Sequence, residues 1–422
     1  MRATPATLAA SLALLAWIAF GALAPAAGAA GSPQQTLDGA LNHGMRAAGN
    51  YSGAYVQDLT TGQTLYSKNA RTPRLPASVE KLYTTTTALL NFGPNATLTT
   101  SVLGVGQQNG GTFTGTLYLR GGGDPTFGSA GFDHANYNAG ASLQRLLFNL
   151  EATTGIHALN GNLVADESMF DSDRGTPATG GQPSIDVEGA LSALSFNRDW
   201  ANRDGTVYFK HPAVESGQQF VAALKAAGIT VPRRVKVTTG RTPADANPLA
   251  TVQSPRMARL IALTNTPSDN FFAETLLKDL GARYGAGGTT AAGVAVVRDK
   301  ISQSFGIRLR VNDGSGLSRF DRTTPFDVVS LLRQMAQNTA FTGSLAVAGE
   351  TGTLIHELRG TDAQGRCRGK TGTLHDVSNV VGYCTARDGH TLAYAVMMNG
   401  IVPSYAHPIQ NRMQVAIADY TG

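Results

Sequence analysis

Charged residues, aromatic residues and cysteines are all scarce in this 422-residue sequence. Charged residues make up 15% against 42% hydrophobic residues, a balance that excludes an intrinsically disordered chain and predicts a folded core. Only two cysteines occur, which excludes the dense disulfide framework of small secreted domains. The net charge of +5 comes without basic runs, so we expect an ordinary basic surface and no nucleic-acid partner. Attraction to an anionic cell envelope is the alternative.

Metal-binding patterns are also missing. The eight histidines are scattered without His-Glu-x-x-His or similar spacing, which disfavours a zinc peptidase. Asp124, which follows three glycines, is interpreted as a turn residue rather than a ligand. We therefore expect no metal and no other cofactor.

Long apolar runs are confined to the start of the chain. Arg2 supplies a positive charge, residues 8–23 are almost uninterruptedly apolar, and Ala27-Gly28-Ala29 has the small-x-small pattern of a signal peptidase site. We predict a signal peptide over residues 1–29, which places the mature chain outside the cytoplasm, secreted or in the periplasmic or cell-wall space. An uncleaved membrane anchor is the alternative, and the glycine and proline near the end of the run disfavour it. No later run is long enough to suggest a transmembrane segment.

The length and the local patterns predict two lobes. A chain of 422 residues is too long for one ordinary compact domain. Residues 30–95 and 251–422 show regular helix and strand patterns, whereas 96–250 has short β-like pieces between Gly-, Pro- and Asp-rich loops. We expect an α/β (α+β) catalytic domain, with an antiparallel sheet flanked by helices, interrupted by an inserted β-rich lobe. Apolar spacing predicts helices over 36–48, 78–90, 217–227, 256–263, 270–280, 328–337 and 408–420, and strands over 54–59, 64–67, 115–120, 235–239, 369–374, 377–385 and 391–398.

The two cysteines, Cys367 and Cys384, fall on neighbouring predicted strands. If 367–372 and 379–384 pair as antiparallel strands around a turn near 374–377, these two residues face each other. A cross-strand disulfide is then predicted, and two unpaired buried thiols are the alternative.

Three short motifs follow one another along the chain: Ser78-Val79-Glu80-Lys81, Ser268-Asp269-Asn270 and Lys370-Thr371-Gly372. Each motif alone is a weak signal in a chain of this length. Their combination is stronger, because the first begins a predicted helix, the second interrupts two helices and the third lies on a predicted strand. We expect all three to meet in one pocket.

Ser78 and Lys81 are the predicted nucleophile and its base. A serine hydroxyl is a poor nucleophile until a base removes its proton, and a lysine three residues later lies on the same helix face. Lys81 must then be neutral, so its pKa has to fall. Burial, the positive end of the helix and the nearby cation Lys370 are all expected to lower it.

Ser268 and Asn270 are predicted to stand on the opposite wall of the pocket. Ser268 would relay a proton between Lys81 and the departing amine, and Asn270 offers a donor and an acceptor to a substrate amide. The structural alternative is that Ser78 and Ser268 merely cap the helices that follow them.

The last motif is predicted to bind the substrate. Lys370, with Thr371 and Thr373, would meet a terminal carboxylate, and Gly372 would let the acyl chain approach the strand closely. The backbone N–H groups of Ser78 and Thr373 would form the oxyanion hole. A solvated charge on an edge strand is the alternative for Lys370.

At these motifs the chain resembles the low-molecular-mass class C penicillin-binding proteins, the serine-type D-Ala-D-Ala carboxypeptidase/endopeptidase family. The resemblance implies a penicillin-recognising transpeptidase-like domain that acts on peptidoglycan stem peptides or crosslinks through an acyl-enzyme on Ser78. It also implies covalent inhibition by β-lactams. The interval between Ser78 and Ser268 is short for that family, so the inserted lobe is predicted to be reduced. The likeness extends to residues 76–78, 122–125, 193–197, 268–270 with 273–274, 313–319 and 352–354.

Two other functions are carried forward. A β-lactamase would hydrolyse the drug rapidly, but no second carboxylate motif of the class A type is evident to activate a deacylating water. A catalytically silent wall-binding module is the other, although every motif residue is present. Steady-state hydrolysis of a cephalosporin tests the first, and attachment of a labelled penicillin tests the second.

Overall fold

The computed structural model describes residue 1 and residues 32–422. The signal peptide predicted over residues 1–29, and the membrane anchor that was its alternative, therefore lie outside the described residues. Among the helices of residues 32–422, none combines the length and the apolar character that crossing a membrane requires.

Helices are distributed along the whole described chain. A 3-10 turn over Ala77–Glu80 runs directly into the second helix, so the first motif lies on a turn and a helix start. In chain order the α-helices are α1 (Pro33–Ala48), α2 (Lys81–Phe92), α3 (Ala130–Asn136), α4 (Leu143–Thr154), α5 (Pro212–Ala226), α6 (Met257–Asn265), α7 (Asn270–Tyr284), α8 (Thr290–Phe305), α9 (Pro325–Met335), α10 (Thr339–Gly343) and α11 (Pro403–Ala418).

The strands form two separate sheets. In chain order they are β1 (Gly53–Asp58), β2 (Thr64–Lys68), β3 (Thr99–Asn109), β4 (Thr112–Arg120), β5 (Ala158–Asp166), β6 (Val237–Thr239), β7 (Asn247–Gln253), β8 (Ala346–Val347), β9 (Cys367–Leu374), β10 (Val377–Thr385) and β11 (Thr391–Asn399).

The first sheet joins the two ends of the described chain. Its order is β2-β1-β11-β10-β9-β8, and all neighbouring strands are antiparallel. Ala54 of β1 pairs with Val396 of β11, and both side chains are fully buried. The sheet is apolar on both faces because each face is covered by helices.

Two hydrophobic cores lie on the two faces of this sheet. One contains Leu41 of α1 and Met413 of α11, and the other contains Leu82 of α2 and Phe271 of α7. This second core positions the site, because it holds α2 and α7, which carry residues of the first two motifs.

The inserted lobe has its own sheet and core. The sheet order is β6-β5-β4-β3-β7, and β4, β5 and β6 run parallel to one another. Parallel strands need helical crossovers, which α4 and α5 provide. These helices bury Leu146 and Phe220 against strand residues such as Leu163. The five strands fall between Thr99 and Gln253, and the domain boundary at 96–250 stays a prediction.

Candidate active site

Ser78 lies on the 3-10 turn in front of α2. The turn is squeezed between two glycines: a methyl group on Gly316 would lie 1.8 Å from the carbonyl oxygen of Ala77, and one on Gly372 would lie 2.5 Å from that of Pro76. Ala77 adopts a φ of 47°, which is strained for a residue with a side chain. No side-chain cap forms at the start of the turn or of α2, so the helix-cap interpretation of Ser78 is wrong.

Lys81 is fully buried, and its amine has three hydrogen-bond acceptors. Its Nζ donates to Ser78 Oγ at 3.0 Å, to Asn270 Oδ1 at 2.5 Å and to the carbonyl oxygen of Ser315 at 2.8 Å. Three acceptors match the three donors of a protonated amine. Asn270 therefore orients Lys81. The sequence had suggested only a contact between Asn270 and a substrate amide.

The environment of Lys81 makes its proton easier to lose. Burial lowers the pKa of Lys81 from its ordinary 10.5 to about 8, although the carboxyls of Glu274, Asp313, Glu188 and Glu80 oppose the shift. Three of these acids are themselves destabilised as anions, because burial raises the pKa of Glu274 to about 8, that of Asp313 above its usual value and that of Glu80 well above its usual range.

Ser268 and Lys370 form the facing wall of the pocket. Lys370 Nζ donates to Ser268 Oγ and to the carbonyl oxygen of Thr371, both at 2.7 Å. Ser268 has a φ of 70°, which turns its backbone away from the preceding helix. The helix cap is Asp269, which accepts from the N–H of Phe272 at 2.9 Å. The interpretation of Ser268 as a cap is therefore wrong.

Lys370 is fully buried, which contradicts a solvated charge on an edge strand. Burial and the charge of Lys81 hold the pKa of Lys370 well below its usual range. Burial has the larger effect on both amines.

The remaining residues of the third motif line the edge of the pocket. Thr373 is exposed, and Thr371 Oγ1 lies 2.8 Å from Thr353 Oγ1. The space beside Gly372 that a side chain would occupy is filled by Pro76 and Val79 of the 3-10 turn that carries Ser78. The close approach of an acyl chain to this glycine stays a prediction. Strand β9 therefore packs directly against the backbone that carries the first motif.

A disulfide braces the other end of β9. Cys367 and Cys384 face each other across β9 and β10 and are bonded, with their Sγ atoms 2.01 Å apart. Both residues are fully buried. The bridge ties the strand that carries Lys370 to its neighbour.

Two residues that support Lys81 were not among the predicted site residues. Glu274 Oε1 accepts from the N–H groups of Gly314 and Ser315, at 3.0 and 2.7 Å, and thereby fixes the loop whose Ser315 carbonyl accepts from Lys81. Asp313 accepts from two further N–H groups of that loop at 2.7 Å each. The available signal was a glutamate within an apolar helix, since such a charge stays buried only with partners.

These contacts, on an antiparallel sheet flanked by helices, place the protein among the penicillin-recognising serine enzymes. Comparison with known proteins identifies the family within this class. The model of the D-Ala-D-Ala carboxypeptidase 3 (S13) family matches residues 34–180 and 176–420. The chain belongs to this family, and the resemblance inferred from the sequence is confirmed.

Relatives and solved structures agree with this assignment. A D-alanyl-D-alanine carboxypeptidase of Actinomadura sp. is 29% identical and covers 89% of this chain and 82% of its own length. Carboxypeptidase DacB of Mycolicibacterium smegmatis is 30% identical over 83% of this chain and 76% of its own. The crystal structure of penicillin binding protein 4 (dacB) from Haemophilus influenzae covers 88% of this chain and 97% of its own, with 20% identity and a TM-score of 0.73. That likeness confirms the predicted fold class.

Proposed function

We propose that this protein is a serine D-Ala-D-Ala carboxypeptidase/endopeptidase that acts on peptidoglycan stem peptides or crosslinks through an acyl-enzyme on Ser78. The observation that carries the proposal is the 3.0 Å contact between Ser78 Oγ and the buried amine of Lys81, whose pKa is lowered to about 8. Membership of the S13 family and the named activities of the relatives support it.

The first half of the reaction forms the ester. Neutral Lys81 takes the hydroxyl proton as Ser78 Oγ attacks the carbonyl carbon of the penultimate D-alanine. The tetrahedral oxyanion lies between the N–H groups of Ser78 and Thr373. Collapse breaks the C–N bond, and the departing amine takes a proton that originates on Lys81, for which the hydroxyl of Ser268 is the relay.

The second half of the reaction is hydrolysis. Water attacks the ester carbonyl and gives a proton to Lys81, and Ser78 Oγ takes one back as the C–O bond breaks. A β-lactam follows the first half only, because its leaving amine stays attached to the acyl group. We therefore expect β-lactams to be covalent inhibitors.

Substrate recognition falls to Lys370 and the threonines beside it. A terminal carboxylate next to Lys370 favours the charged amine, which offsets the burial that lowers its pKa. Thr371 and Thr373 supply hydroxyl donors to the same carboxylate.

The site of action follows from the substrate. Peptidoglycan lies outside the cytoplasm, so we infer that the mature protein is extracytoplasmic, secreted or in the periplasmic or cell-wall space. Its partners are then wall peptides, with β-lactams as covalent ligands.

Intact-mass spectrometry after penicillin treatment tests the proposal. The wild type should gain one adduct and Ser78→Ala none, while Ser302→Ala, an exposed serine on α8, serves as the matched control. An adduct that persists on Ser78→Ala overturns the assignment. A folded wild type that gains no adduct supports the silent wall-binding module instead.

Two further assays separate the related activities. Rapid steady-state hydrolysis of a chromogenic cephalosporin would identify a β-lactamase, whereas we expect slow turnover. Incubation with a stem pentapeptide and with a crosslinked dimer, each followed by mass spectrometry, measures carboxypeptidase against endopeptidase action.

A further inference from the structure

A cationic crevice lies where the inserted lobe meets the catalytic domain. Its volume is about 450 Å³, and it lies beside the last residues of the parallel strands. Arg120 ends β4, Asp166 ends β5, and Arg241 follows β6 by two residues. The catalytic domain contributes Arg283, which lies near the end of α7. Crevices at the carboxyl ends of parallel strands, and between domains, are preferred ligand sites.

In the part of the chain that the structure describes, two of the three arginines of this crevice form no ion pair. Within residues 32–422, neither Arg120 nor Arg241 has a carboxylate within ion-pair distance. The carboxylate of Asp166, which also lines the crevice, is occupied by the N–H groups of Ser168 and Thr242 at 2.9 and 2.6 Å. These bonds fill about half of its acceptor positions, and within the described residues it forms no ion pair with any of the three arginines.

Arg283 is held in place but keeps donors for a ligand. Its Nη2 donates to the carbonyl oxygen of Gly122 at 2.8 Å, and its Nε lies 3.7 Å from Asp279. Burial holds the pKa of Asp279 well above its usual range, which leaves that carboxyl a weak counterion. A guanidinium has five N–H donors, so most of those on Arg283 remain available.

The glycine run before Asp124 shapes the floor of the crevice. Methyl groups on Gly121 and Gly122 would lie 2.0 and 2.1 Å from the carbonyl oxygens of Ala193 and Thr99. Only glycine fits these close backbone approaches, which lie within the inserted lobe. The third glycine, Gly123, brings the end of β4 against the catalytic domain, because a methyl group there would lie 2.2 Å from Oδ1 of Asp279 on α7. Asp124 itself accepts from Thr126, as expected for a turn residue. The motif thus builds the junction rather than the catalytic pocket.

We propose that this crevice binds an oxyanion, a phosphate or carboxylate group carried by an anionic cell-wall polymer. Arginine is suited to this ligand because its planar fork matches both groups in bidentate geometry. Arg283 lies thirteen residues after Asn270 on α7, which corresponds to about 20 Å at 1.5 Å per residue. A polymer held there leaves the pocket around Ser78 free for a peptide. Only the identity of the carrier polymer rests on the proposed function.

Titration with small anions tests the site itself. Inorganic phosphate and glutarate are added at constant ionic strength to the full chain, the double variant Arg120→Ala/Arg241→Ala and the control Arg46→Ala/Arg412→Ala, and binding is measured by calorimetry. The control changes the net charge equally on α1 and α11, outside the crevice. We expect saturable binding of one or both anions that weakens about tenfold or more in the crevice variant only. Comparison of the two anions identifies the favoured group.

Either of two results overturns the proposal: no saturable binding of either anion, or equal weakening in the crevice and control variants. Pull-down on polyphosphate and poly-L-glutamate beads then tests whether the same arginines retain a polymer. Penicillin acylation of Ser78 is measured in every variant and should be unchanged, which also shows that the variants fold. If the wild type fails to acylate, the proposed function fails while the anion titration still decides the crevice.

Discussion

The contact between strand β9 and the 3-10 turn that carries Ser78 leads to a specific prediction for Gly372→Ala. The added methyl group would lie 2.5 Å from the carbonyl oxygen of Pro76 and 3.1 Å from the amide nitrogen of Val79. Side-chain carbons essentially never approach within 3.0 Å, and both neighbours are backbone atoms, so the turn itself must move by several tenths of an ångström or more. That movement displaces Ser78 relative to Lys81.

The magnitude follows from the sensitivity of catalysis to placement. A misplacement of about 1 Å costs about 10²-fold in rate, so we expect acylation by penicillin to fall between about tenfold and a hundredfold. Overpacking should also lower the free energy of unfolding by about 1–3 kcal/mol. Stopped-flow acylation with a fluorescent penicillin measures the first effect, and thermal unfolding measures the second.

Gly39→Ala is the matched control for this experiment. Gly39 lies within α1, and a methyl group there would meet nothing within 4 Å. Alanine in a helix interior is favoured over glycine by about 0.5–1 kcal/mol, so this variant should be slightly more stable and acylate normally. If Gly372→Ala acylates at the wild-type rate, the reasoning that β9 positions Ser78 is refuted.

Three other predictions follow from the site and its supports. The acylation rate should rise with pH and level off above about 8, because only neutral Lys81 accepts the proton of Ser78. A rate that does not change with pH between about 6 and 9 would contradict the role of Lys81 as the base. Replacing Cys367 and Cys384 together by alanine should destabilise the protein by about 3 kcal/mol, as their 17-residue separation implies, and unchanged thermal unfolding would show that the bridge contributes nothing. Arg198→Ala should lower the free energy of unfolding by about 3–5 kcal/mol, because it leaves the carboxylate of Asp269 without its cationic partner. Equal unfolding midpoints for this variant and Arg46→Ala would contradict this prediction.

The parts of the site that could be predicted are those with short sequence spacing. Ser78 and Lys81 are three residues apart on one turn, and the pairing of Cys367 with Cys384 follows from strand register alone. The support of Lys81 by Ser315 could not be predicted, because it depends on a loop that reaches the amine only through tertiary packing. The contact between Gly372 and the backbone of Pro76 could not be predicted either, since it also depends on tertiary packing.

The fold was predictable where periodicity was strong. Predicted strands 377–385 and 391–398 correspond closely to β10 and β11, which are rich in valine, alanine and methionine. Helix α11 begins at Pro403, before the predicted start at 408, because Pro408 is accommodated inside the helix. Strand β5 was not predicted, since Asn160, Gly161 and Asn162 are poor strand formers and pairing on both sides overrides their preference.

The pairing of β1 with β11 means that the main sheet closes only when nearly the whole chain is available. A chain that stops before residue 391 already contains all three sequence motifs, but it lacks a central strand of its main sheet. The strands of the inserted lobe lie between Thr99 and Gln253, so its sheet can form without the last third of the chain. A chain truncated there carries Ser78 without the strand that joins β1 to β10, so we expect penicillin not to acylate it.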